Sequence, residues 1–143
     1  MIDVKTSTLE GPALNWMVAK VQGLDVELAP PHYGNGWRVF LRSTGAAYRP
    51  STDWAQGGPL LEPLFVAFGC VCNGTPPVDD EPKRIRAHAH KLDPDGLPYF
   101  SRLSGGPTIL VAACRAIVLV HCGDVVQVPE VLAPIGEGAN AAA

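Results

Sequence analysis

The sequence predicts an α+β fold in which a small antiparallel sheet is packed by two main helices. Gly-Pro pairs stand at three positions where helix-like segments begin, and the strand-like segments do not alternate with helices as they would in a parallel sheet. The 15 glycines and 14 prolines indicate short elements joined by many turns. We expect the main helices at about 12–22 and 107–122, and a short helical turn near 59–62. The whole chain, 1–143, is predicted to form a single domain.

The first helix and the strands around it follow from the spacing of apolar residues. Gly11-Pro12 opens the helix, and Gly23 ends it. Four apolar side chains share one face, as in an amphipathic helix packed on a core: Leu14, Met17, Val18 and Val21. Short strands are expected on either side of the helix, at 1–8, 25–28 and 37–41.

The segment Tyr48 to Glu62, YRPSTDWAQGGPLLE, connects two apolar runs and is rich in turn-forming residues. We call it the 48–62 segment. Its Ser-Thr-Asp cluster carries short side-chain oxygens that bond nearby backbone N–H groups, which favours a turn or a helix cap. Trp54 is too large to remain in water, so it is expected to cover one side of the core. Pro59 suits the first position of a helix and Pro63 lacks the N–H that would extend it, so we expect one turn over 59–62.

The second half of the chain contains more strands and the longest helix. The strand candidates lie at 64–71, 84–90, 99–103 and 124–128. In the helix Thr108–Cys122, the clearly polar side chains before His121 are Thr108 and Arg115, so most of its circumference must be covered. A small sheet would leave part of this helix uncovered, which predicts a homodimer through residues 108–122. We expect a mobile loop at 73–82 and a flexible tail at 133–143.

Three segments resemble the NinX-type family of small phage and prophage proteins, and they occur in the order found in that family. They are GPALNWMVAKVQGL at 11–24, STDWAQGGPLLE at 51–62 and GPTILVAACRAIVLVHCGDVVQVPEVL at 106–132. The central segment is the most specific of the three. The resemblance implies a phage or prophage origin and a setting in the host cytoplasm, and it implies no particular reaction.

The composition is ordinary for a soluble protein and shows no general attraction to nucleic acid or membrane. Apolar residues make up 47%, charged residues 17%, and the formal net charge is −3. The first ten residues lack the apolar run of a secretory signal, and the apolar stretch 109–122 is shorter than the roughly 18–20 residues that span a bilayer. The four cysteines are expected to be reduced thiols. We therefore expect a cytoplasmic protein with no membrane partner and no cofactor.

The segment RIRAHAH carries the strongest indication of a binding surface. On a strand, a period of two places four side chains on one face, which we call the basic strip: Arg84, Arg86, His88 and His90. With Lys83 and Lys91 beside it, the strip could meet phosphates or an acidic partner surface. The alternative is a solvated strand face balanced by the acidic residues at 79–81. No tryptophan or tyrosine lies within the strip, which weakens the interpretation as a single-strand nucleic-acid site.

Two pairs of metal-binding residue types are weak candidates for a zinc site. Cys70 and Cys72 are two residues apart, as are His88 and His90, so each pair would lie on one face of its strand. Facing pairs would supply the two thiolates and two imidazoles of a tetrahedral zinc site. However, C-x-C and H-x-H are weaker signatures than the usual spacing, and cysteines in an apolar run are more often simply buried. No metal is therefore predicted.

The 48–62 segment contains a second candidate site, formed by Arg49, Asp53, Trp54 and Gln56. Asp53, beside two hydroxyl residues, could act as a general base. No G-x-S-x-G, H-E-x-x-H or P-loop pattern accompanies it, and nothing in the sequence brings a histidine to it. Capping of a turn by Asp53 is therefore the favoured interpretation.

The favoured function is that of a non-enzymatic accessory protein that binds a host or phage protein. Binding would use the basic strip and, secondarily, the second candidate site. One alternative is a small hydrolase or metal-dependent enzyme that uses Asp53 or the set Cys70, Cys72, His88 and His90. The other alternative is direct nucleic-acid binding through residues 83–91.

Overall fold

The computed structural model of the chain describes residues 1–34, 36–64, 66–70 and 85–133, with the backbone alone at 68–70. The described residues form three helices and seven strands, which confirms the α+β class. In chain order they are β1 (Ile2–Lys5), α1 (Gly11–Gln22), β2 (Val26–Ala29), β3 (Arg38–Leu41), α2 (Trp54–Leu61), β4 (Ala67–Cys70), β5 (Ile85–Leu92), β6 (Pro98–Gly106), α3 (Ile109–Cys122) and β7 (Val125–Val128). Short 3-10 turns lie at Thr6–Thr8 and Glu130–Leu132.

The described strands divide among three small antiparallel sheets, where the sequence predicted one. The sheets are β1–β7, β2–β3 and β4–β5–β6. In the first sheet Ile2 lies opposite Val128, so the first and last described strands pair. β2 and β3 form a local hairpin, and β5 and β6 form the longest pair. Along the chain, a helix lies at each passage from one of these sheets to another.

α3 lies at the centre of the core and packs on two sides. One side packs against α1 through Val111, Cys114 and Val118, in a cluster that also holds the inward side chains of β1 and β7. The other side contacts Ala87 and Ala89 of β5 through Ala112, Ala113, Ala116, Ile117 and Val120. Every residue from 110 to 120 is buried by the chain itself. Within α3 there is therefore no uncovered apolar face of the kind on which the homodimer prediction was based.

α2 begins earlier and is longer than the predicted turn at 59–62. Asp53 is its N-cap, because the Oδ1 atom of Asp53 accepts a hydrogen bond from the backbone N–H of Ala55 at 2.9 Å. Pro59 lies inside the helix and does not start it. The prediction that Trp54 covers the core is wrong. Trp54 is 53% exposed, because its ring lies along the surface of α2 beside Gly58.

Both main helices are confirmed, at Gly11–Gln22 and Ile109–Cys122. The predicted loop at 73–82 and, apart from Ala133, the predicted tail at 133–143 lie outside the described residues. In the described part of the chain, no helix combines the length and the apolar character that a membrane crossing needs.

Candidate functional site

β5 shows the alternation that was predicted for the basic strip. Ala87 and Ala89 are 1% and 0% exposed and pack against α3, whereas Arg86 and His90 are half-buried and His88 is exposed. Arg84 lies outside the described residues. The described part of the strip is therefore Arg86, His88 and His90, on the face of β5 opposite to the core.

The sheet register separates the residue pairs that were weak candidates for zinc. Cys70 lies opposite Ile85, and Ala67 lies opposite His88. Cys70 is thus three positions along the ladder from His88, which corresponds to about 10 Å. Cys72 lies outside the described residues. Among the described residues, no three His, Cys, Asp or Glu side chains converge as a metal site requires.

Arg86 extends from the basic strip across the neighbouring strand. It pairs with Gly105 of β6, and a Cβ atom on Gly105 would lie 1.7 Å from Nη1 of Arg86 and 2.8 Å from its Cζ. The guanidinium therefore occupies the space that a side chain at position 105 would fill. β6 is the edge strand of the described three-stranded sheet, so Arg86 lies over the free edge of that sheet.

A groove of about 500 Å³ lies along this edge, and we call it the basic groove. Its charged lining consists of Lys5, Arg86, Arg102 and Asp124. Nη2 of Arg102 and Oδ1 of Asp124 are 2.6 Å apart, and this ion pair joins β6 to the turn before β7. Apolar lining comes from Leu103, Leu119 and Val125. The groove thus combines three cations and one carboxylate with an apolar surface.

Two buried polar side chains hold the walls of the basic groove together. Oγ1 of Thr6 donates to the carbonyl of Gly123 at 2.6 Å, so the turn after β1 is tied to the end of α3. Arg115 of α3 donates from Nε to the carbonyl of Leu9 at 2.7 Å and from Nη1 to the carbonyl of Gly105 at 3.0 Å. Arg115 therefore joins three elements and places a further positive charge close to the groove lining at Gly105.

β6 also presents aromatic side chains to solvent outside the groove. Tyr99 is 65% exposed and Phe100 is 44% exposed. Nζ of Lys91 lies 6.0 Å from the centre of the Phe100 ring, at the limit of a cation–π contact. Exposed apolar residues on an edge strand are typical of a docking surface.

The second candidate site holds the 48–62 segment in place. Nε2 of Gln56 donates to the carbonyl of Ala47 at 2.6 Å, and its Oε1 accepts from the N–H of Arg49 at 2.5 Å. Asp53 caps α2, and Trp54 lies on the surface of that helix. The side chain of Arg49 is exposed and lines a second cavity, next to β3 and the start of α1.

Of the two cysteines of α3, Cys114 is buried and Cys122 is exposed at the end of the helix. Burial raises the pKa of the Cys114 thiol to about 12. Burial also raises the pKa of Cys122, and the nearby Lys91 opposes this in part. A nucleophilic cysteine needs a lowered pKa, and neither thiol has one.

Sequence reasoning missed Lys5, Arg102 and Asp124, which complete the basic groove. One signal was available for Arg102, because the predicted strand at 99–103 was expected to pair with the basic strip. Lys5 and Asp124 carried no local signal, since the pairing of β1 with β7 brings them to the groove from opposite ends of the chain.

The fold and the groove define a small α+β protein with a basic cleft at a sheet edge. The family model described as Bacteriophage P22, NinX matches residues 5–121 of the chain. This chain therefore belongs to the NinX family of phage proteins, as the resemblance implied. The match spans α1, α2, the basic strip and nearly all of α3. No curated protein matches the chain.

Proposed function

We propose that this phage protein is a non-enzymatic binding module of the host cytoplasm, and that its basic groove takes an acidic, extended segment of a host or phage protein. The observation that carries the proposal is the convergence of Lys5, Arg86 and Arg102 on an edge strand that has no strand partner on its outer side in the described chain.

Charge favours an acidic ligand at this site. Three cations against the single carboxylate of Asp124 give the groove a local charge of +2, on a chain whose formal net charge is −3. A local charge opposite to the overall charge steers an acidic partner to one place on the surface. Asp124 is largely exposed and Arg102 only partly so, so the ion pair holds Arg102 at the groove and leaves Asp124 in contact with solvent.

The edge of β6 favours an extended segment. In an antiparallel strand, every second residue directs its N–H and C=O groups outward, where an added strand can pair with them. The apolar side chains of Leu103 and Val125 are half-exposed at the same place and would contact the side chains of such a segment. Backbone pairing would supply affinity, and the cations would select acidic residues.

Single-stranded nucleic acid is a second candidate ligand, favoured by one specific observation. Tyr99 and Phe100 are exposed on β6, the strand next to the basic strip. Aromatic rings beside cations are the usual platform for stacked bases. Binding to nucleic acid would weaken steeply with salt, with a slope in the logarithmic plot of about −0.7 for each phosphate contact.

Photo-cross-linking in cells tests the proposal directly. A photoreactive phenylalanine analogue replaces Leu103 in the groove or, as a control, Tyr33, which is 91% exposed in the β2–β3 loop. In cells carrying the phage or prophage, we expect a cross-link to one defined protein from position 103 and none from position 33. Cross-linking of the same proteins from both positions would contradict the proposal, and cross-linking to nucleic acid would favour the second candidate.

A charge variant with a matched control measures the role of the groove. In the double variant Arg86→Gln and Arg102→Gln, affinity for the cross-linked protein should fall about tenfold or more. The control is Arg42→Gln, because Arg42 forms a comparable exposed ion pair with Asp25, at 3.4 Å, outside the groove. The control should bind like the wild type. Equal affinity of the double variant and the control would exclude the groove as the binding site.

A further inference from the structure

A second cavity, of about 460 Å³, lies between the start of α1, strand β3 and the loop at 47–52. This is within the range of small-molecule sites. Its walls are largely apolar and aromatic, and its apolar and aromatic lining residues are Pro12, Val39, Phe40, Ala47 and Tyr48. The lining also contains two arginines, Arg38 and Arg49, and no acidic residue.

Arg38 lines this cavity with a half-buried side chain. Its Nε is shut off from solvent and has no hydrogen-bond partner in the described part of the chain. The group is held over the ring of Phe40, with Cζ at 5.3 Å from the ring centre. A buried N–H of a charged group without an acceptor is unfavourable and is rare in folded proteins. The guanidinium therefore lacks the counter-charge that such a position normally has.

Asn15 of α1 lines the same wall with its side-chain amide. It is 5% exposed, and its Oδ1 accepts from both the backbone N–H and the hydroxyl of Ser51, at 3.1 and 2.7 Å. Because a backbone N–H can only donate, these bonds fix the orientation of the amide. The NH₂ group of Asn15 is left without an acceptor among the described residues, on a side chain that lines the cavity.

The remaining polar features of the cavity are also suited to an anion. Arg49 and the hydroxyl of Thr52 line it from the loop. α1 begins at the cavity, and its N-cap residue Glu10 makes no side-chain hydrogen bond to the helix. Pro12 has no N–H to donate, so α1 contributes to the positive potential of the two arginines through the positive end of its dipole.

We propose that this cavity binds the oxyanion group, a carboxylate or a phosphate, of a small ligand whose apolar part lies against Phe40 and Val39. The Nη groups of Arg38 and the NH₂ group of Asn15 donate to the oxyanion, and Arg49 closes the outer side. The site is independent of the basic groove, since the two share no lining residue.

Thermal shift with three probes tests this site: inorganic phosphate, phenyl phosphate and benzoate, each up to about 10 mM, enough to detect millimolar affinity. We expect phenyl phosphate or benzoate to raise the Tm of the wild-type protein more than inorganic phosphate does, because the ring adds apolar contact. A larger Tm shift with phenyl phosphate than with benzoate would indicate a phosphate site, and the reverse would indicate a carboxylate site. No shift with any of the three probes would overturn the proposal.

Arg38→Gln separates ligand binding from a structural role. We expect this variant to lose at least about tenfold in probe affinity while its Tm without ligand is equal to or above that of the wild type, because an unpaired charge has been removed. The control is Arg42→Gln, because Arg42 directly follows β3 and does not line the cavity. This variant should respond to the probes like the wild type. Unchanged probe affinity in Arg38→Gln would overturn the proposal.

Discussion

The adjacent glycines of α2 provide a sharp test of how this helix packs. A Cβ atom at Gly57 would lie 2.1 Å from the carbonyl oxygen of Pro50 and 2.8 Å from Cδ2 of Leu110. Pro50 and Leu110 are both buried, so neither can move aside freely. A Cβ atom at Gly58 would lie 3.4 Å from the ring of Trp54, an ordinary contact with an exposed side chain.

The same substitution should therefore have opposite effects at the two positions. Replacing glycine by alanine inside a helix stabilises it by roughly 0.5–1 kcal/mol. At Gly58 nothing opposes this gain, so Gly58→Ala should raise the free energy of unfolding by about that amount. At Gly57 overpacking against a backbone carbonyl costs about 1–3 kcal/mol, at the upper end for so close an approach. Gly57→Ala should therefore be less stable than the wild type by about 1–2 kcal/mol.

Urea denaturation of the two variants and the wild type measures this difference. We expect the variants to differ by roughly 2–3 kcal/mol in the free energy of unfolding, or on the order of 10 °C in Tm. The slope of the denaturation curve should stay unchanged, since neither variant alters the surface exposed on unfolding. If Gly57→Ala were as stable as Gly58→Ala, the close packing of α2 on the loop at residue 50 would be refuted.

Two further predictions concern single side chains. Asp53→Ala should lower the free energy of unfolding by about 0.5–2 kcal/mol, because α2 loses its N-cap. Asp53→Asn can still accept a hydrogen bond from the N–H of Ala55, so it should stay close to the wild type in the same denaturation assay. Equal losses in the two variants would contradict the capping role. Burial raises the pKa of Cys114 from 9.0 to about 12, so above pH 9 the unfolded chain loses this proton first, and stability should fall by about 1.4 kcal/mol per pH unit from there toward pH 12. Cys114→Ala should lack this component when unfolding is measured from about pH 8 to 10, and an identical pH dependence in both proteins would show that the thiol does not titrate in this way.

The helices show which parts of the fold were predictable from local chemistry. α1 and α3 were located correctly because each has a Gly-Pro pair at its start and a glycine after its end, and these signals act within a few residues. α2 was misplaced because two local signals competed. Asp53 caps the helix at its start, whereas Pro59 favours a start five residues later because it cannot donate a backbone hydrogen bond. The cap decides, and α2 tolerates Pro59 inside it.

The sites depended on pairings that the sequence does not reveal. The period of two on β5 was sufficient to place Arg86 and His88 on one face, because alternation is a property of any strand. The basic groove also needs Lys5, which reaches it through the pairing of the first and last strands. The covering of α3 on both sides is equally non-local, and this is why an uncovered helix followed from the sequence.

The 48–62 segment, which contains the family-like stretch 51–62, shapes the second cavity as well as the core. Ser51 is buried and bonds Asn15, and the carbonyl of Pro50 fits against Gly57. If the 48–62 segment only packed on the core, apolar contacts at Pro50 and Ser51 would be sufficient. The bonds to Ser51 instead occupy the oxygen of Asn15 and leave its NH₂ donors on the cavity wall, on the same side as Arg38. The loop that packs on the core is thus also the loop that orients the donors of the proposed oxyanion site.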